Sequence, residues 1–255
     1  MRGAKRDDWS VTSDLAGLAA RPADSLEVRW IVPGAPKAAV REWFARFPSR
    51  TEKREDVYLL QPRLRDLSVK LRDGGTLDVK SYLGSPGIID LPGHGQGCLE
   101  EWRKWSFPYR RAPEADDPAP AGWATVRKER RAAWFPLPPG QDPALAPSAG
   151  TGCLAELTVA EYEGNQWWSV ALEATGSAGL LRAALQHAAD LLFAQPVPFG
   201  GGFSLDNCRS YAQWLHEKPW PGPGLSESAA QGRSAAAWRA SRIRSRPVSN
   251  SSQKS

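Results

Sequence analysis

Residues 68–80 read SVKLRDGGTLDVK, in which apolar and polar residues alternate on both sides of a glycine-containing turn. Alternation with a period of two predicts strands, because successive side chains of a strand point to opposite faces. The turn, Asp73-Gly74-Gly75, is typical of a tight β-hairpin. Each strand has one charged face, formed by Lys70 and Arg72 on the first strand and by Asp78 and Lys80 on the second. Such a face is either the solvated side of a sheet or the lining of a site that holds an anion.

The same charged alternation recurs on other predicted strands. The residues concerned are Glu27 and Arg29 in the strand 26–32, Glu101 and Arg103 in the strand 99–107, Lys128 and Arg130 in the segment 123–135, and Glu173 in the last strand. Because Arg127 and Glu129 are charged as well, the pattern leaves open which face of this strand Lys128 and Arg130 occupy. An antiparallel sheet with one solvated face explains mixed charges of this kind. If the sheet instead closes into a small barrel, one face becomes a lumen, and cations that converge there repel one another unless they bind a polyanion.

The order of predicted elements indicates a β-rich α+β fold, an antiparallel sheet or barrel that carries a few helices. Helices are predicted at 36–47, 177–195 and 205–215. The last of these has Asp206 as its expected N-cap. A loop rich in glycine and proline is predicted at 85–97, and a hairpin that turns near Gly164 is predicted at 153–176.

Charge divides the chain into a neutral body and a basic tail. The net charge is +5, and the residues from Pro219 to the end carry six basic side chains against one acidic side chain. We therefore expect an N-terminal extension at 1–23, a single domain at 24–217 and a disordered basic tail at 218–255. The folded body is not expected to bind nucleic acid, and any such contact would involve the tail.

Cysteine spacing and hydropathy predict a cytoplasmic protein. The three cysteines lie far apart without metal-ligand spacing, so free thiols are expected. No apolar run predicts a signal peptide or a membrane span. The three histidines show no metal spacing either, and the sequence leaves the oligomeric state open.

The order of the charged motifs resembles the CYTH domain family, also called the triphosphate tunnel metalloenzymes. In chain order the matching motifs are residues 25–30 for an ExExKF strand, Asp56-Val57-Tyr58 for DxY, Lys70, Arg72, Gly74 and Lys80 for a basic hairpin, Lys128-Glu129-Arg130 for KxR, and Glu173, the helix 177–195 and Ser210-Tyr211 for the closing strand and helices. The resemblance covers about residues 25–216. It implies an antiparallel eight-stranded β-barrel, or tunnel, with a few flanking helices.

The resemblance also implies a ligand and a set of site residues. The ligand would be a small-molecule polyphosphate, namely inorganic triphosphate, a nucleotide or thiamine triphosphate, which the tunnel would bind and hydrolyse with Mg²⁺ or Mn²⁺. Phosphate would be bound by Arg29, Lys70, Arg72, Lys80, Lys128 and Arg130. Glu27 and Glu173 would be the catalytic and metal-binding carboxylates, and Glu156 is a further candidate metal ligand.

Two of the carboxylates that the family uses for metal are replaced in this sequence. Ser25 stands at one position of the opening motif, and the partner of Glu173 is Ala171 or Thr175, depending on register. Arg29 also replaces a lysine. The carboxylates of Glu156, Glu161 or Glu101 could substitute for the missing ones. Three interpretations stay open: a metal-dependent hydrolase, a non-catalytic polyphosphate-binding or scaffold protein of the same fold, and an open sheet without an anion site.

Overall fold

The computed structural model describes residues 22–61, 64, 66–72, 75–108, 122–138, 150–200 and 202–217. The strands are β1 (Ala23–Pro33), β2 (Arg50–Leu59), β3 (Leu67–Arg72), β4 (Thr76–Leu91), β5 (Gly95–Pro108), β6 (Trp123–Pro136), β7 (Gly152–Tyr162) and β8 (Asn165–Thr175). The helices are α1 (Ala38–Ala45), α2 (Leu181–Leu192) and α3 (Tyr211–Glu217), and a 3₁₀ turn, Ala178–Leu180, precedes α2.

The eight strands close into one barrel. Around its wall they follow the order β1-β5-β4-β3-β2-β6-β7-β8, and β8 pairs with β1. Every neighbouring pair is antiparallel. The predicted antiparallel eight-stranded β-barrel with a few helices is therefore confirmed, and the interpretation as an open sheet is wrong.

The main apolar core lies outside the barrel wall. On β1, the alternate residues Leu26, Val28 and Trp30 are buried in a cluster that also contains Phe44 of α1 and Leu185 of α2. Helix α2 packs against β7 and β8. Because the apolar side chains of these strands point toward the helices, the polar side chains between them must point into the barrel.

A second apolar cluster fills one end of the barrel. Side chains near the ends of β1, β2, β6 and β7, including Ile31 and Tyr162, pack against Trp214 and Leu215 of α3. Trp214 and Leu215 are 2% and 3% exposed. Helix α3 therefore closes this end of the barrel with apolar side chains.

The predicted loop at 85–97 is wrong. Strand β4 continues to Leu91 and β5 begins at Gly95, so only residues 92–94 form a turn. The pairing of β4 with β5 shifts register on both sides of Gly84, and Gly84 and Gly87 have φ angles of 154° and 118°. Glycines with positive φ allow bulges inside a strand that continues, whereas the sequence alone indicates a break.

The predicted start of the last helix at 205 and its predicted N-cap Asp206 are also wrong. Residues 205–207 form a turn, and the segment that follows is bound to β1. The backbone N–H of Arg209 donates to the carbonyl of Arg29 at 2.8 Å. These backbone groups are therefore used between segments, and the helix begins only after them.

Ser210 is the N-cap of α3. Its Oγ accepts a hydrogen bond from the N–H of Gln213 at 3.3 Å, and Oε1 of Gln213 accepts one from the N–H of Ser210 at 3.1 Å. This reciprocal pair is a capping box. It fixes the first turn of α3, which places Tyr211 against the barrel interior.

The other predicted elements agree with the structure or fall outside it. Helices α1 and α2 and the hairpin of β7 and β8 are confirmed, although α2 is shorter than 177–195. The predictions for 1–23 and 218–255 lie outside the described residues, except at 22–23. No helix in the described part of the chain is long and apolar enough to cross a membrane. The cytoplasmic location stays a prediction.

Two leucines of α2 test where the stabilising core lies. Leu185 is 1% exposed in the outer core, whereas Leu191 is 43% exposed. We expect Leu185→Ala to reduce the free energy of unfolding by about 2–5 kcal/mol, because it leaves a cavity. Leu191→Ala makes the same chemical change on the surface and should cost less than about 1 kcal/mol. Urea denaturation of both variants measures the difference, and equal losses would contradict a core outside the barrel.

Candidate anion-binding tunnel

Charged side chains line the inside of the barrel around a cavity of about 90 Å³. The basic ones are Arg29, Arg54, Lys70, Arg72, Lys80, Lys104, Lys128 and Arg130, and the acidic ones are Glu27, Asp78, Glu156 and Glu173. A fifth acid, Asp56, is fully buried behind this lining and contacts Lys70 and Lys128. Eight basic side chains therefore stand against five acidic ones, an excess of three. We call this lined cavity the tunnel.

The structure brings the predicted site residues together. All six predicted phosphate ligands, both predicted catalytic glutamates and Glu156 line the tunnel. Glu161, offered as a substitute metal ligand, instead lies outside the barrel, where its side chain is 48% exposed and contacts Arg127. The placement is thus observed, while the roles of these residues as phosphate or metal ligands stay predictions.

The charged face predicted for β5 is the wrong one. Glu101 and Arg103 point outward, and Arg103 pairs with Asp24 outside the barrel at 2.7 Å. Lys104 and, near α3, Glu100 are on the inner face instead. Both faces of β5 carry charges, so alternation could not distinguish them. The register with the neighbouring strands does distinguish the two faces. Glu100 is paired with Glu27 and Lys104 is paired with Lys80, and residues paired directly across strands point to the same face.

The sequence analysis misses three charged residues of the site. It names neither Arg54 nor Lys104 as a base of the site, and it includes Asp56 only as part of the DxY motif. A signal was present for Arg54 and Asp56, because they alternate in β2 in the same way as the predicted bases of β3. Nothing in the sequence indicated the cations that Asp56 contacts.

Asp56 is the counterion of three cations. Its side chain is fully buried, and it lies 2.9 Å from Nζ of Lys128, 3.3 Å from Nζ of Lys70 and 3.4 Å from Nε of Arg54. Burial alone would raise the pKa of Asp56, but the three positive charges outweigh burial and hold that pKa far below its usual range. Asp56 therefore stays ionised in the folded protein.

Asp78 has the same role on β4. Its Oδ2 lies 2.5 Å from Arg72, 3.6 Å from Lys104 and 3.8 Å from Lys70. The hydroxyl of Ser106 donates to its other oxygen at 2.7 Å. Burial raises its pKa, yet these cations and the hydrogen bond lower it overall. Asp56 and Asp78 together contact five basic side chains, so this part of the tunnel is strongly positive.

Three of these cations are more exposed to the lumen than the two acids. The side chains of Asp56 and Asp78 are 0% and 2% exposed, whereas those of Lys70, Arg72 and Lys104 are 12%, 32% and 25% exposed. A molecule in the tunnel would therefore meet ammonium and guanidinium groups before it met the carboxylates.

Burial also makes some of these lysines weaker bases. Burial is the main cause that lowers the pKa of Lys128 to about 8, although Asp56 acts in the opposite direction. The pKa of Lys70 is also lowered well below its usual value by burial and by the charges of Lys128 and Arg72. An anion among these groups would favour their charged forms and raise both values.

A third ionic group surrounds Glu156. Arg29 contacts it at 3.1 Å, Arg130 contacts its other oxygen, and Arg130 also reaches Glu52 at 2.7 Å. Burial would raise the pKa of Glu156, but the two guanidinium groups hold it far below its usual range. The Arg29 guanidinium also lies over the ring of Tyr211, 4.6 Å from its centre.

Several buried polar atoms of the tunnel have no hydrogen-bond partner among the described residues. They include Nε of Arg72, Nε of Arg130 and Oγ1 of Thr158. Thr158 is 1% exposed and lines the tunnel. Because buried polar groups are almost always hydrogen-bonded, these atoms are candidate donors to a ligand.

Lys80 forms a fourth group with two glutamates. Its Nζ lies 2.5 Å from Oε1 of Glu27 and 3.1 Å from Oε1 of Glu173, and Ser25 Oγ donates to Glu27 at 2.6 Å. Burial would lower the pKa of Lys80, but the two carboxylates outweigh burial and raise it. Lys80 is therefore a fixed positive charge between two acids.

These residues do not fit the predicted Mg²⁺ or Mn²⁺. Glu27 and Glu173 both contact the Lys80 ammonium, which would repel a divalent cation placed between them. Glu156 is bound by two arginines. The described ranges contain no group of three or more histidine, cysteine, aspartate or glutamate side chains that could hold a metal ion. The metal stays a prediction of the resemblance.

Comparisons with known proteins identify no family. No protein-family model and no curated protein matches the chain. Among solved structures, the PH1819 protein from Pyrococcus horikoshii OT3 is 16% identical, with a TM-score of 0.40, and the match covers 76% of this chain and 99% of that one. HpAC1 from Hippeastrum, which has a dominant triphosphatase activity, is 12% identical, with a TM-score of 0.39 and coverage of 78% and 98%. The Pct1 RNA triphosphatase of S. pombe, solved in complex with the Spt5 CTD, is 10% identical, with a TM-score of 0.35 and coverage of 71% and 83%. Similarities this low carry no functional inference, which rests on the residues of the tunnel alone.

The role of Asp56 as a shared counterion can be tested by neutralisation. Asp56→Asn would leave Lys128, Lys70 and Arg54 without their buried counterion, so we expect the free energy of unfolding at pH 7 to fall by about 3–5 kcal/mol. Asp24→Asn is the matched control, because it removes one acid from an exposed ion pair and should cost at most about 1 kcal/mol. Urea denaturation measures both values, and a loss at Asp56 no larger than that at Asp24 would refute the assignment.

Proposed function

We propose that the tunnel binds a linear polyphosphate, either inorganic triphosphate or the triphosphate group of a small molecule such as a nucleotide or thiamine triphosphate. One observation carries this proposal: five basic side chains that contact the buried carboxylates of Asp56 and Asp78 line the lumen together. Each acid favours the charged forms of its neighbouring bases and holds them in place, and the bases that the acids do not neutralise are left for a ligand.

Phosphate matches the chemistry of these donors. Arginine and lysine form their strongest hydrogen bonds with phosphate and carboxylate oxygens, and arginine can bind two of them at once. Eight basic side chains line the tunnel, against four acidic ones in the lining and Asp56 buried behind it. This surplus of three charges suits an anion of several negative charges better than a single monoanion. A chain of phosphates meets that requirement, and it can contact bases from several strands.

Binding is better supported than hydrolysis. The carboxylates that the resemblance assigns to metal and catalysis are Glu27 and Glu173, and both contact Lys80. The proposed function is therefore binding, as in the non-catalytic interpretation of the sequence. Release of inorganic phosphate from tripolyphosphate, with and without Mg²⁺ or Mn²⁺, is the assay that separates a hydrolase from a binding protein.

Removal of two tunnel bases tests the ligand. Tripolyphosphate at about 100 times its dissociation constant should stabilise the wild-type protein by about 2.7 kcal/mol. That gain corresponds to a rise in melting temperature of about 5–10 °C. We expect Lys70→Ala/Arg72→Ala to weaken binding at least about 100-fold, because charge-assisted hydrogen bonds are lost.

The matched control for this double variant is Lys53→Ala/Arg127→Ala. It removes two basic side chains from neighbouring strands, but both are exposed on the outside of the barrel. Calorimetric titration should give this control the affinity of the wild type. Equal weakening in both double variants would indicate general electrostatic attraction and would contradict a tunnel site. The absence of any stabilisation of the wild type would exclude triphosphate as the ligand.

Protonation provides an independent test of the same site. The pKa of Lys128 is about 8 in the free protein because the side chain is buried. At pH 8 about half of these ammonium groups are deprotonated, and a bound polyanion should raise the pKa and draw in protons. Titration calorimetry at pH 8 in two buffers of different ionisation enthalpy should therefore detect net proton uptake.

Lys128→Arg is the control for the protonation test, because a guanidinium stays charged at pH 8. This variant should bind tripolyphosphate with less proton uptake than the wild type. The difference in uptake between the two proteins should also fall at pH 6, where Lys128 is already charged before the ligand arrives, whereas any uptake by Lys70 is common to both proteins. Proton release on binding, or equal uptake in both proteins, would contradict the proposed contact between the ligand and this part of the tunnel.

A further inference from the structure

Lys80 and two glutamates, which come from three different strands, form a contact across the inside of the barrel. Glu27 on β1 and Glu173 on β8 are directly paired across neighbouring strands. Like charges in that arrangement repel each other. Lys80 lies on β4, which is separated from β1 by β5 in the barrel wall. Its ammonium reaches both carboxylates, at 2.5 Å and 3.1 Å, and so compensates the repulsion.

The two carboxylates would otherwise be suitable for a divalent metal. Magnesium and manganese prefer oxygen ligands, and one or two carboxylates with water and phosphate oxygens can be sufficient to bind Mg²⁺. The negative charge of Glu27 and Glu173 is, however, already compensated by the Lys80 ammonium. The next pair on the same face of these strands, Ser25 and Thr175, carries no carboxylate that could add a further metal ligand.

The nearby acids are also engaged. Glu156 is bound by Arg29 and Arg130. Glu100 is a buried acid on the inner face of β5. It accepts hydrogen bonds from the Trp102 indole at 3.0 Å and from the Gln213 amide at 2.6 Å. Glu100 is paired directly with Glu27, but both of its oxygens are already hydrogen-bonded to neutral donors, so Glu27 and Glu173 are the two acids that contact Lys80.

We propose that Lys80 is a built-in cation that occupies the place of a divalent metal between Glu27 and Glu173, so that the tunnel binds its polyanion without a metal ion. This inference rests on the proposed function of the tunnel. It changes the predicted role of Lys80 from a phosphate ligand to the counterion of two acids. It also means that one substitution, which removes the ammonium, should create a metal site.

The first test uses Mn²⁺ alone, because free Mn²⁺ is counted directly by its electron paramagnetic resonance signal. Wild-type protein should leave that signal unchanged and show no shift in melting temperature. Lys80→Ala leaves two adjacent carboxylates without a cation, so it should take up about one Mn²⁺ per chain. Saturating Mn²⁺ should raise its melting temperature by about 5–10 °C.

Lys104→Ala is the matched control for metal uptake. It removes another lysine of the tunnel wall, on the strand next to β4, but its acidic contact is Asp78, which keeps Arg72 and Lys70. This variant should take up no Mn²⁺. Uptake by Lys104→Ala equal to that of Lys80→Ala would mean that any loss of positive charge admits the metal, and it would overturn the specific role of Lys80. If Lys80→Ala does not fold, stoichiometric uptake of Mn²⁺ by the wild type overturns the proposal by itself, and its absence supports it.

The second test measures tripolyphosphate binding to the wild type in buffer stripped of divalent ions by a chelating resin. A soluble chelator is avoided, since it is itself a polyanion that would compete for the tunnel. Binding in this buffer supports the inference, and binding that appears only when Mn²⁺ is added overturns it. Absence of binding in both buffers would overturn the proposed function instead, and uptake of Mn²⁺ by Lys80→Ala would still support the assignment of the Lys80 position.

Discussion

Neutralisation of buried cations is the constraint on which the tunnel depends. Closure of the barrel brings basic side chains of six strands into one small cavity. Asp56 makes this possible on one side, because a single fully buried carboxylate contacts Lys128, Lys70 and Arg54. Asp78 does the same for the neighbouring strands. Buried ion pairs of this kind contribute little to stability when they are compared with a well-packed apolar interior. Their retention across the whole interior is therefore better explained by binding than by folding.

Stability must then come from elsewhere, and the packing shows the source. The barrel is polar inside and carries its main apolar core on the outside, where Trp30, Phe44 and Leu185 pack between the wall and the helices. Among the described residues, an apolar interior is found at the end beneath α3, where it contains Trp214 and Leu215. Strands β1, β7 and β8 therefore separate an outer apolar layer from a polar lumen. The interior can remain hydrated and charged because it does not have to supply the hydrophobic free energy of folding.

The sequence was sufficient where each strand had only one charged face. Lys70, Arg72 and Glu27 could be placed inside a barrel because apolar residues fill the alternate positions of β3 and β1. Strand β5 has charges on both faces, so its inner face depends on register with neighbouring strands, which single-sequence patterns do not report. Gly87 falls within the predicted loop at 85–97, because a glycine at a bulge has the same local signature as one in a turn. The ion pairs across the lumen depend on closure and could not be derived from spacing.

The distribution of charge makes the two sides of the tunnel unequal. Around Asp56 and Asp78 the acids are buried behind the bases, so the lumen is positive there. Around Lys80 the order differs: the ammonium and both carboxylates are similarly exposed, at 20%, 13% and 21%. An anion that moves toward Glu27 and Glu173 would therefore meet two negative charges and only one positive charge. This difference would confine a polyanion to the side of the tunnel around Asp56 and Asp78, and it would make Glu27 and Glu173 a boundary of the proposed binding site as much as a part of it.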